Sequence, residues 1–405
     1  MFQFIHAADI HLDSPLIGLS RYEGLPVEQI RLATREAFDN LIRLAINQKV
    51  AFVLIAGDLY DGDWRDASTG MFFTSRMGRL REHGIPVFLV RGNHDAASQI
   101  TRSLHLPENV HVFDETTPST FRLNDLNVAV HGQSFASQHV RANLAANYPM
   151  AEPGWLNIGL LHTSAGGYSE HETYAPCSLD DLKAKEYDYW ALGHVHTAAT
   201  LNTDPHVVFP GNIQGRSIRE TGPRGCCLVT VDNSRRVSAC DFVPLDSFRW
   251  HSLPIDLSGV SDLREFYRKV ETALKTISQT AERMLLLRVV LTGTTPMHAQ
   301  LVDRTDWKDD FRAMTMDLGH ERVWIEKIIV QTSTPTGTPP PAVPLPNAEM
   351  PKDLFQPLLQ KLPDEIRQQV AAWLDPALPR YQQLVDEATA VLAERLTRSE
   401  ASNEN

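Results

Sequence analysis

Two polar residues that could bind a metal ion follow the first apolar run of the chain. The stretch "HAADIHLDSP" places Asp9 and His11 with one residue between them, directly after the strand-like residues 2–8. Residues two apart in a strand share a face, so we expect both side chains to point the same way. The pair is either two polar tips at an ordinary strand end or the first half of a metal site.

Four further apolar runs end in the same residue types. These are "VLIAGDLYD" with Asp58, "FLVRGNHD" with Asn93, His94 and Asp95, "GLLHTS" with His162, and "WALGHVH" with His194 and His196. In open α/β sheets, ligands bind in the crevice beyond the carboxyl ends of the strands. The pattern therefore predicts that these side chains converge in one place.

The shared chemistry of this set is that of a binuclear metal centre. Imidazole and carboxylate suit manganese, iron and zinc, and the absence of cysteine from the set argues against a structural zinc site. Two cations ~3.5–4 Å apart can clamp the attacking and leaving oxygens of a phosphoryl displacement. One carboxylate must bridge them, and we assign this role to Asp58. Each fragment alone is more often a surface histidine or a turn, but their joint occurrence favours the metal site.

The elements that must position these residues begin with an alternation of strands and helices. Strands are predicted at residues 2–8, 51–58 and 86–95, and amphipathic helices at 27–48 and 66–83. This β-α-β-α-β order indicates a parallel sheet. Shorter strands follow, with one short helix that opens on a capping box of Ser178 and Asp181. The pattern predicts a layered α/β sandwich over residues 1–245.

A change of rhythm after residue 245 marks further domains. Residues 246–332 read as a small β-α-β-α-β unit, with helices at 262–282 and 297–318. The proline-rich residues 333–347 read as an extended linker, because proline at that density cannot enter a sheet or helix interior. Residues 348–405 read as a helical segment with apolar stripes. This segment either packs back on the body or docks on a partner, and the sequence leaves both alternatives open.

Composition bounds the class of protein. A chain of 405 residues suggests two or three domains, and 42% hydrophobic with 22% charged residues is typical of globular proteins. We find no apolar run of the ~20 residues that a membrane helix needs and no secretory leader, so we expect a cytoplasmic protein with its four cysteines as free thiols. The net charge of -12 argues against a general nucleic-acid binder. Carboxylates that hold divalent cations can nevertheless create a positive local field.

The ordered motifs resemble the calcineurin-like metallophosphoesterase superfamily. They are D-x-H, G-D, G-N-H-D, a lone histidine after an apolar strand, and G-H-x-H. The longer stretches "YAPCSLDDL" and "GNIQGR" are similar to SbcD-type DNA-repair exonucleases, closest to their YhaO-like branch. The resemblance implies a four-layer α/β/β/α sandwich, a small capping domain at residues 246–332 and a C-terminal helical segment.

The resemblance also implies roles for the residues at the strand ends. The first metal would be held by Asp9, His11, Asp58 and His196, and the second by Asp58, Asn93, His162 and His194. His94 would stabilise the transition state or protonate the leaving oxygen, and Asp95 would orient its imidazole. The two metals, expected to be Mn²⁺, would activate a hydroxide as nucleophile. Some relatives carry a histidine at the position of Asp61, so the role of Asp61 stays open.

A DNA substrate and two kinds of partner follow from the same resemblance. We expect hydrolysis of DNA phosphodiester bonds, docking of the C-terminal helices on an SbcC-like coiled-coil ATPase, and a homodimer. Three arginines of the loop "QGRSIRETGPRG" are candidate phosphate contacts, although a solvated loop is an equal alternative; they are Arg216, Arg219 and Arg224. The rival functions are a phosphodiesterase or phosphatase for small nucleotides, and a regulatory adaptor of a partner ATPase.

Overall fold

The computed structural model describes residues 1–14, 27–61, 68–97, 105–166, 174–320 and 322–335. Residues up to Ser333 form one compact unit. The predicted linker at 333–347 lies mostly outside the described residues, and the predicted helical segment at 348–405 lies wholly outside them. Both stay predictions. Within the described ranges, no helix combines the length and the apolar character that crossing a membrane requires.

The strands and helices follow the predicted alternation. The strands are β1 (Phe2–Ala7), β2 (Phe52–Ala56), β3 (Val87–Val90), β4 (Val110–Val112), β5 (Ser119–Leu123), β6 (Val128–Gly132), β7 (Leu156–His162), β8 (Tyr189–Gly193), β9 (Ala199–Thr203), β10 (His206–Phe209), β11 (Gly225–Val231), β12 (Val237–Pro244), β13 (Phe248–Asp256), β14 (Met284–Thr294) and β15 (Val323–Ser333). The α-helices are α1 (Val27–Arg31), α2 (Ala33–Gln48), α3 (Ser68–Glu82), α4 (Asn93–Ala97), α5 (Leu179–Lys183), α6 (Leu263–Thr280), α7 (His298–Asp303) and α8 (Asp306–Gly319).

Two six-stranded sheets pack face to face and form the sandwich. Their strand orders are β12-β11-β1-β2-β3-β4 and β5-β6-β7-β8-β10-β9. Strands β1 to β4 run parallel, as do β6, β7, β8 and β10, so the carboxyl ends of the ligand-bearing strands meet at one edge. Buried side chains from both sheets fill the space between them, among them Phe4, Phe52, Ile158 and Tyr189.

Helices cover the outer faces and complete the four layers. Helices α2 and α3 bury Phe38, Leu41 and Met77 against the first sheet. On the second sheet the described outer layer is thinner, with Leu182 of α5 and Tyr148 after a short 3-10 helix packed around Trp190. The predicted capping box of α5 is present. The four-layer α/β/β/α sandwich is therefore confirmed, and the four cysteines are free, as predicted.

A third sheet follows the sandwich, with the predicted β-α-β-α-β order. Strands β13, β14 and β15 are parallel neighbours, and α6 and α8 cover one face through Phe266 and Phe311. We call residues 246–332 the cap; its boundary stays a prediction. Phe248 and Trp250 of β13 pack against Ile30 and Ala33 of the helices that cover the first sheet.

Two predicted helices are interrupted in the structure. The helix predicted at 27–48 is interrupted at Leu32, between α1 and α2. Helical hydrogen bonds from residue i to residue i−4 nevertheless continue across this point, from the Leu32 amide to Glu28 and from the Glu36 amide to Leu32. The helix predicted at 297–318 divides into α7 and α8. There, the indole Nε1 of Trp307 donates to the carbonyls of Leu301 and Arg304, at 3.2 and 2.8 Å. These bonds occupy acceptors at the end of α7, so the chain closes one helix and starts another.

A buried histidine ties the two sheets of the sandwich together. His6 of β1 lies at the sheet interface, where its Nε2 donates to the carbonyl of Leu192 at 3.1 Å and its Nδ1 accepts from the Tyr189 hydroxyl at 3.0 Å. Both partners belong to β8. Burial lowers the pKa of His6 to about 3. This role of His6 has no signal in the sequence, because an isolated histidine in a strand carries no pattern.

We predict that His6→Leu alters the pH dependence of the free energy of unfolding of the metal-free protein. The folded state keeps His6 neutral down to about pH 3, whereas the unfolded chain takes up a proton below about 6.5. The wild type therefore loses stability through this group as the pH falls through that range, by up to ~1.4 kcal/mol per pH unit. The variant should be less stable at pH 8, because Leu192 and Tyr189 lose their hydrogen-bond partner. The difference in the free energy of unfolding between the wild type and the variant, which we call the gap, should narrow as the pH falls.

Denaturant unfolding at pH 8, 6 and 5 measures this gap. The matched control is His83→Leu, which removes an exposed imidazole at the end of α3 and should keep the wild-type dependence on pH. A gap that stays constant from pH 8 to pH 5 would show that His6 does not have to stay neutral.

Candidate metal centre

The candidate ligands lie at or just after the carboxyl ends of the strands, and several of them have a positive φ. Asp9 and His11 follow β1 with φ of 50° and 47°, Asp58 follows β2 at 50°, and His194 follows β8 at 103°. The expectation that Asp9 and His11 share one face of a strand is therefore wrong, because both lie beyond it. Left-handed conformations cost a residue with a side chain ~1–2 kcal/mol, and such strain is common at functional sites.

Hydrogen bonds between the strand ends hold these strained residues. The Asp9 amide donates to the carbonyl of Gly57 at 3.1 Å, and the His11 amide donates to the carbonyl of Asp58 at 3.0 Å. The His194 amide donates to both carboxylate oxygens of Asp9, at 3.1 and 3.0 Å. The loops after β1, β2 and β8 therefore support one another across the two sheets.

The first group of side chains brings together the ligands predicted for the first metal. Nε2 of His11 and Nε2 of His196 lie 3.3 Å apart, and Nε2 of His196 is 4.0 Å from Oδ1 of Asp9. One ligand atom from each of the three residues lies within 4.8 Å of the others. Two imidazoles and a carboxylate that face one point form a suitable site for a divalent cation.

The second group shares Asp58 with the first. Nε2 of His162 lies 2.9 Å from Oδ1 of Asn93 and 3.5 Å from Oδ2 of Asp58. The same Asp58 oxygen is 3.9 Å from Nε2 of His11, so Asp58 stands between the two groups as the sequence predicts. The ring of His194 meets that of His162 edge to face, with centroids 5.3 Å apart.

Acceptors at Nδ1 leave Nε2 available for metal in two of the histidines. Nδ1 of His162 donates to the carbonyl of Ala56 at 2.9 Å, and Nδ1 of His196 donates to Oε1 of Glu220 at 2.7 Å. Nδ1 of His11 faces Oδ1 of Asp61 at 3.4 Å. Such acceptors fix the tautomer and the ring orientation of metal-binding histidines.

The electrostatics of the centre favour cations. Burial, together with the neighbouring Asp58, raises the pKa of Asp9 well above its usual value, and burial raises that of Asp58. Burial also lowers the pKa of His162 to about 3 and lowers that of His11. Neutral imidazoles are ready to coordinate, and two buried carboxylates need positive charge beside them to stay ionised. The donor set therefore fits two divalent cations.

His94 has a different partner from the one predicted. Its Nδ1 lies 3.1 Å from Oδ1 of Asp61, and this hydrogen bond is the main cause that raises the pKa of His94. Asp95 is buried, and its carboxylate accepts from the amides of Leu59, Tyr60 and Gly92 at 2.9 to 3.1 Å. Asp95 therefore organises the loops after β2 and β3, and the carboxylate that orients the His94 ring is Asp61.

Asp61 connects more of the site than the sequence indicates. Besides its contacts with His94 at 3.1 Å and His11 at 3.4 Å, its carboxylate accepts from the Ser14 hydroxyl at 2.6 Å and faces Nη1 of Arg216 at 3.5 Å. Its hydrogen bonds with the two histidines and Ser14 outweigh burial and hold the pKa of Asp61 far below its usual value. An ionised Asp61 beside the metal ligands is therefore part of the site. Its spacing of three residues from Asp58 is a sequence signal for this role.

The three arginines predicted to contact phosphate lie in three different environments. The guanidinium of Arg216 faces the centre beside Asp61, with 21% of the side chain exposed. Arg219 is exposed. Arg224 is buried, and its guanidinium donates to the carbonyls of His196 and Thr221. The geometry gives Arg224 a supporting role for His196 rather than the substrate contact expected from the sequence.

Comparison with known proteins identifies similar chains. A family model for calcineurin-like phosphoesterases matches residues 2–198, and one for the middle domain of the metallophosphoesterase YhaO matches residues 250–333. The uncharacterized metallophosphoesterase YhaO of Bacillus subtilis is 34% identical over 297 residues, which cover 72% of this chain and 72% of that protein. The DNA double-strand break repair protein Mre11 of Sulfurisphaera tokodaii is 22% identical over 303 residues, 72% of this chain and 73% of that protein. The SbcD subunit of the nuclease SbcCD from Staphylococcus saprophyticus is 22% identical over 369 residues, 82% of this chain and 90% of that protein.

We predict that Gly57→Ala weakens the binding of divalent metal by ~10–100-fold, the range typical when the partner of a ligating histidine is lost. A Cβ on Gly57 would lie 2.4 Å from Nδ1 of His162, so the bond from this ring to Ala56 would break. The matched control is Gly84→Ala. Gly84 also has a positive φ, of 67°, but a Cβ there meets no atom within 4 Å.

Titration calorimetry of both metal-free variants with Mn²⁺ measures the effect, and their melting temperatures report the shared backbone strain. Equal metal affinity in the two variants would contradict the assignment of His162 as a ligand held by Ala56.

Proposed function

The chain belongs to the calcineurin-like metallophosphoesterase family, and from this premise we propose that it is a metal-dependent DNA exonuclease, the nuclease subunit of a double-strand-break repair complex. The observation that carries the proposal is the group of carboxylates and imidazoles around Asp58, with His94 and Arg216 beside it. Phosphoester hydrolysis is the chemistry of the family. DNA as the substrate is the further step that we propose.

The candidate ligands would hold two divalent cations, which we propose to be Mn²⁺. Asp9, His11, Asp58 and His196 would hold the first; Asp58, Asn93, His162 and His194 would hold the second. When bound, the cations would supply Lewis acidity and an activated water. Asp58 stands between the two groups, as a bridging carboxylate must.

His94 is proposed to give a proton to the oxygen that leaves phosphorus. Nδ1 of His94 donates to the Asp61 carboxylate, and this hydrogen bond raises the pKa of His94, which favours the protonated ring whose Nε2 can donate a proton. The ring is 37% exposed, so substrate can reach it. Arg216, on the same side, offers a guanidinium fork for a phosphate oxygen.

The choice of DNA rests on relatives and on the longer family-like stretches of the sequence. By their names, the Mre11 relative acts in DNA double-strand break repair and the SbcCD relative is part of a nuclease. The net charge of -12 is compatible with DNA, because cations at the centre make the local field positive. A phosphodiesterase for small nucleotides is the second candidate function. For the nuclease, we propose a cytoplasmic location.

The partner in the proposed complex is an SbcC-like coiled-coil ATPase. The name of the SbcCD relative describes it as one subunit of a larger nuclease, and the matched region covers 82% of this chain. Residues 348–405 carry apolar stripes at helical spacing, and we propose that they dock on the coiled coil. A homodimer is part of the same proposal. In the alternative adaptor function, the segment would dock on the ATPase in the same way, but the protein would regulate the ATPase and would not need to hydrolyse DNA.

We predict that His94→Asn slows hydrolysis of duplex DNA by ~10²–10⁴-fold, the usual contribution of a general acid. The same variant should slow hydrolysis of bis(p-nitrophenyl) phosphate by less than ~10-fold, because nitrophenolate departs without a proton whereas a sugar alkoxide does not. Asp58→Asn is the comparison that should abolish both reactions. Turnover of both substrates with Mn²⁺ is measured.

Each other outcome of this assay has a definite meaning. Equal losses on both substrates would assign His94 to transition-state stabilisation instead of proton donation. If the wild type cleaves the nitrophenyl ester and leaves DNA intact, with and without the ATPase, the nuclease proposal fails and the small-nucleotide function replaces it.

We predict that deletion of residues 348–405 abolishes co-purification with the ATPase and changes turnover of bis(p-nitrophenyl) phosphate by less than ~2-fold, because the candidate ligands all lie in residues 9–196. Pull-down with the purified ATPase and the ester assay test this. Undiminished binding would remove the proposed docking role of the segment.

A further inference from the structure

One acidic side chain lies at the centre of the loop that follows β10. We call residues 211–224 the Glu220 loop. Only 14% of the Glu220 side chain is exposed, and both carboxylate oxygens accept hydrogen bonds. Oε1 accepts from Nδ1 of His196 at 2.7 Å, while Oε2 accepts from Nδ2 of Asn212 at 2.9 Å and from the Arg216 amide at 2.7 Å. The loop is thus folded around a carboxylate that also contacts a candidate metal ligand.

The groups that surround the carboxylate of Glu220 are donors, as an anionic carboxylate requires. Nδ1 of His196, Nδ2 of Asn212 and the Arg216 amide donate to it, and the Arg216 guanidinium lies beside it. An anionic acceptor at Nδ1 makes Nε2 of an imidazole a stronger donor to a cation than a neutral acceptor does.

The acceptor behind His162, in the second group, is neutral. Nδ1 of His162 donates to the backbone carbonyl of Ala56. In the first group, His196 has Glu220 at 2.7 Å and His11 has Asp61 at 3.4 Å. His196 and His162 thus differ in the charge of the acceptor behind the ring, and among these three histidines the closest carboxylate contact is that of Glu220.

The same carboxylate also positions the guanidinium that faces the centre. Oε2 fixes the Arg216 amide, and Oε1 lies 3.8 Å from Nη2 of the same arginine. The cap holds the loop from the other side, where Nε1 of Trp250 donates to the Gly215 carbonyl and Nε2 of Gln214 donates to the Phe248 carbonyl, each at 3.0 Å. Arg216 therefore extends from a loop that is fixed at both ends.

We propose that Glu220 is a positioning residue that sets the affinity of the first metal site and holds Arg216 beside it. It acts through the ring of His196 and through the Arg216 amide, and it does not itself contact the reacting phosphate. The proposal rests on the ligand assignment made for the proposed function, and it is independent of whether the substrate is DNA.

The test is calorimetric titration of the metal-free full chain with Mn²⁺. In Glu220→Gln, an amide NH₂ must face either His196 or the two donors Asn212 and Arg216, so at least one hydrogen bond is lost. We expect one of the two binding events to weaken by ~10–100-fold and the other to change by less than ~3-fold. Glu220→Asp, which keeps the charge, should recover part of the loss.

A matched control is Glu152→Gln. Glu152 is also a partly exposed carboxylate that accepts from an arginine, Arg122, but it precedes β7 at the end opposite His162. This variant should bind Mn²⁺ like the wild type. The melting temperatures of the metal-free variants establish that each one folds.

A double-mutant cycle separates positioning from general structure. In a His196→Ala background, Glu220→Gln should cause no further loss of Mn²⁺ affinity, since its route to the metal is gone. At saturating Mn²⁺, Glu220→Ala and Arg216→Ala should each raise the KM for bis(p-nitrophenyl) phosphate. The variant that combines these two substitutions should have no higher KM than Arg216→Ala alone.

Unchanged Mn²⁺ affinity in Glu220→Gln, or a loss that adds fully to that of His196→Ala, would overturn the inference. Failure of the wild type to cleave DNA would end the nuclease proposal and leave these titrations interpretable. If Glu220→Gln does not fold, the Glu220→Asp titration decides: an affinity equal to the wild type, with the carboxylate shortened, would equally contradict the proposal.

Discussion

Two carboxylates buried side by side are the constraint on which the rest of the structure depends. Asp9 and Asp58 are each about 1% exposed, and the pKa of each is raised by burial. Isolated charges in such a position would neutralise by taking up protons. Divalent cations remove that need, and the neutral imidazoles around the pair complete a donor set for them. The fold must therefore bring the ends of strands from two separate sheets to one point and hold them there.

The sandwich meets this requirement by linking the sheets with polar as well as apolar contacts. Aromatic and aliphatic side chains fill most of the space between the sheets, but His6 adds directional bonds to β8, the strand that leads into His194. At the strand ends, the His194 amide bonds to the Asp9 carboxylate, so the two sheets meet again through a ligand. Backbone strain at Asp9 and His194 is offset by these bonds, and the loops keep their positions without relying on the metal alone.

The sequence predicted the parts of the site that depend on residue type and strand order. A carboxylate or imidazole after each apolar run, together with a parallel sheet, was enough to bring Asp9, Asp58 and His162 together. It could not predict the left-handed turns at Asp9 and His11, because residue type alone does not fix φ. The hydrogen-bond partners of the histidines also cannot be predicted from the sequence. The sequence assigns no role to Asp61 and predicts that Asp95 orients His94, whereas Asp61 faces that ring, since adjacency along the chain says little about which carboxylate a ring will face.

Glu220 illustrates the limit most clearly, and it links the site to the cap. Its loop lies within a stretch that resembles the family, yet nothing in the spacing from His196 to Glu220 indicates that the two side chains meet. They meet because Asn212 and Arg216 fold the loop around the carboxylate, while Trp250 and Gln214 attach it to β13. The cap is therefore hydrogen-bonded to the loop whose Glu220 accepts from the ring of His196, although the cap contributes no candidate ligand.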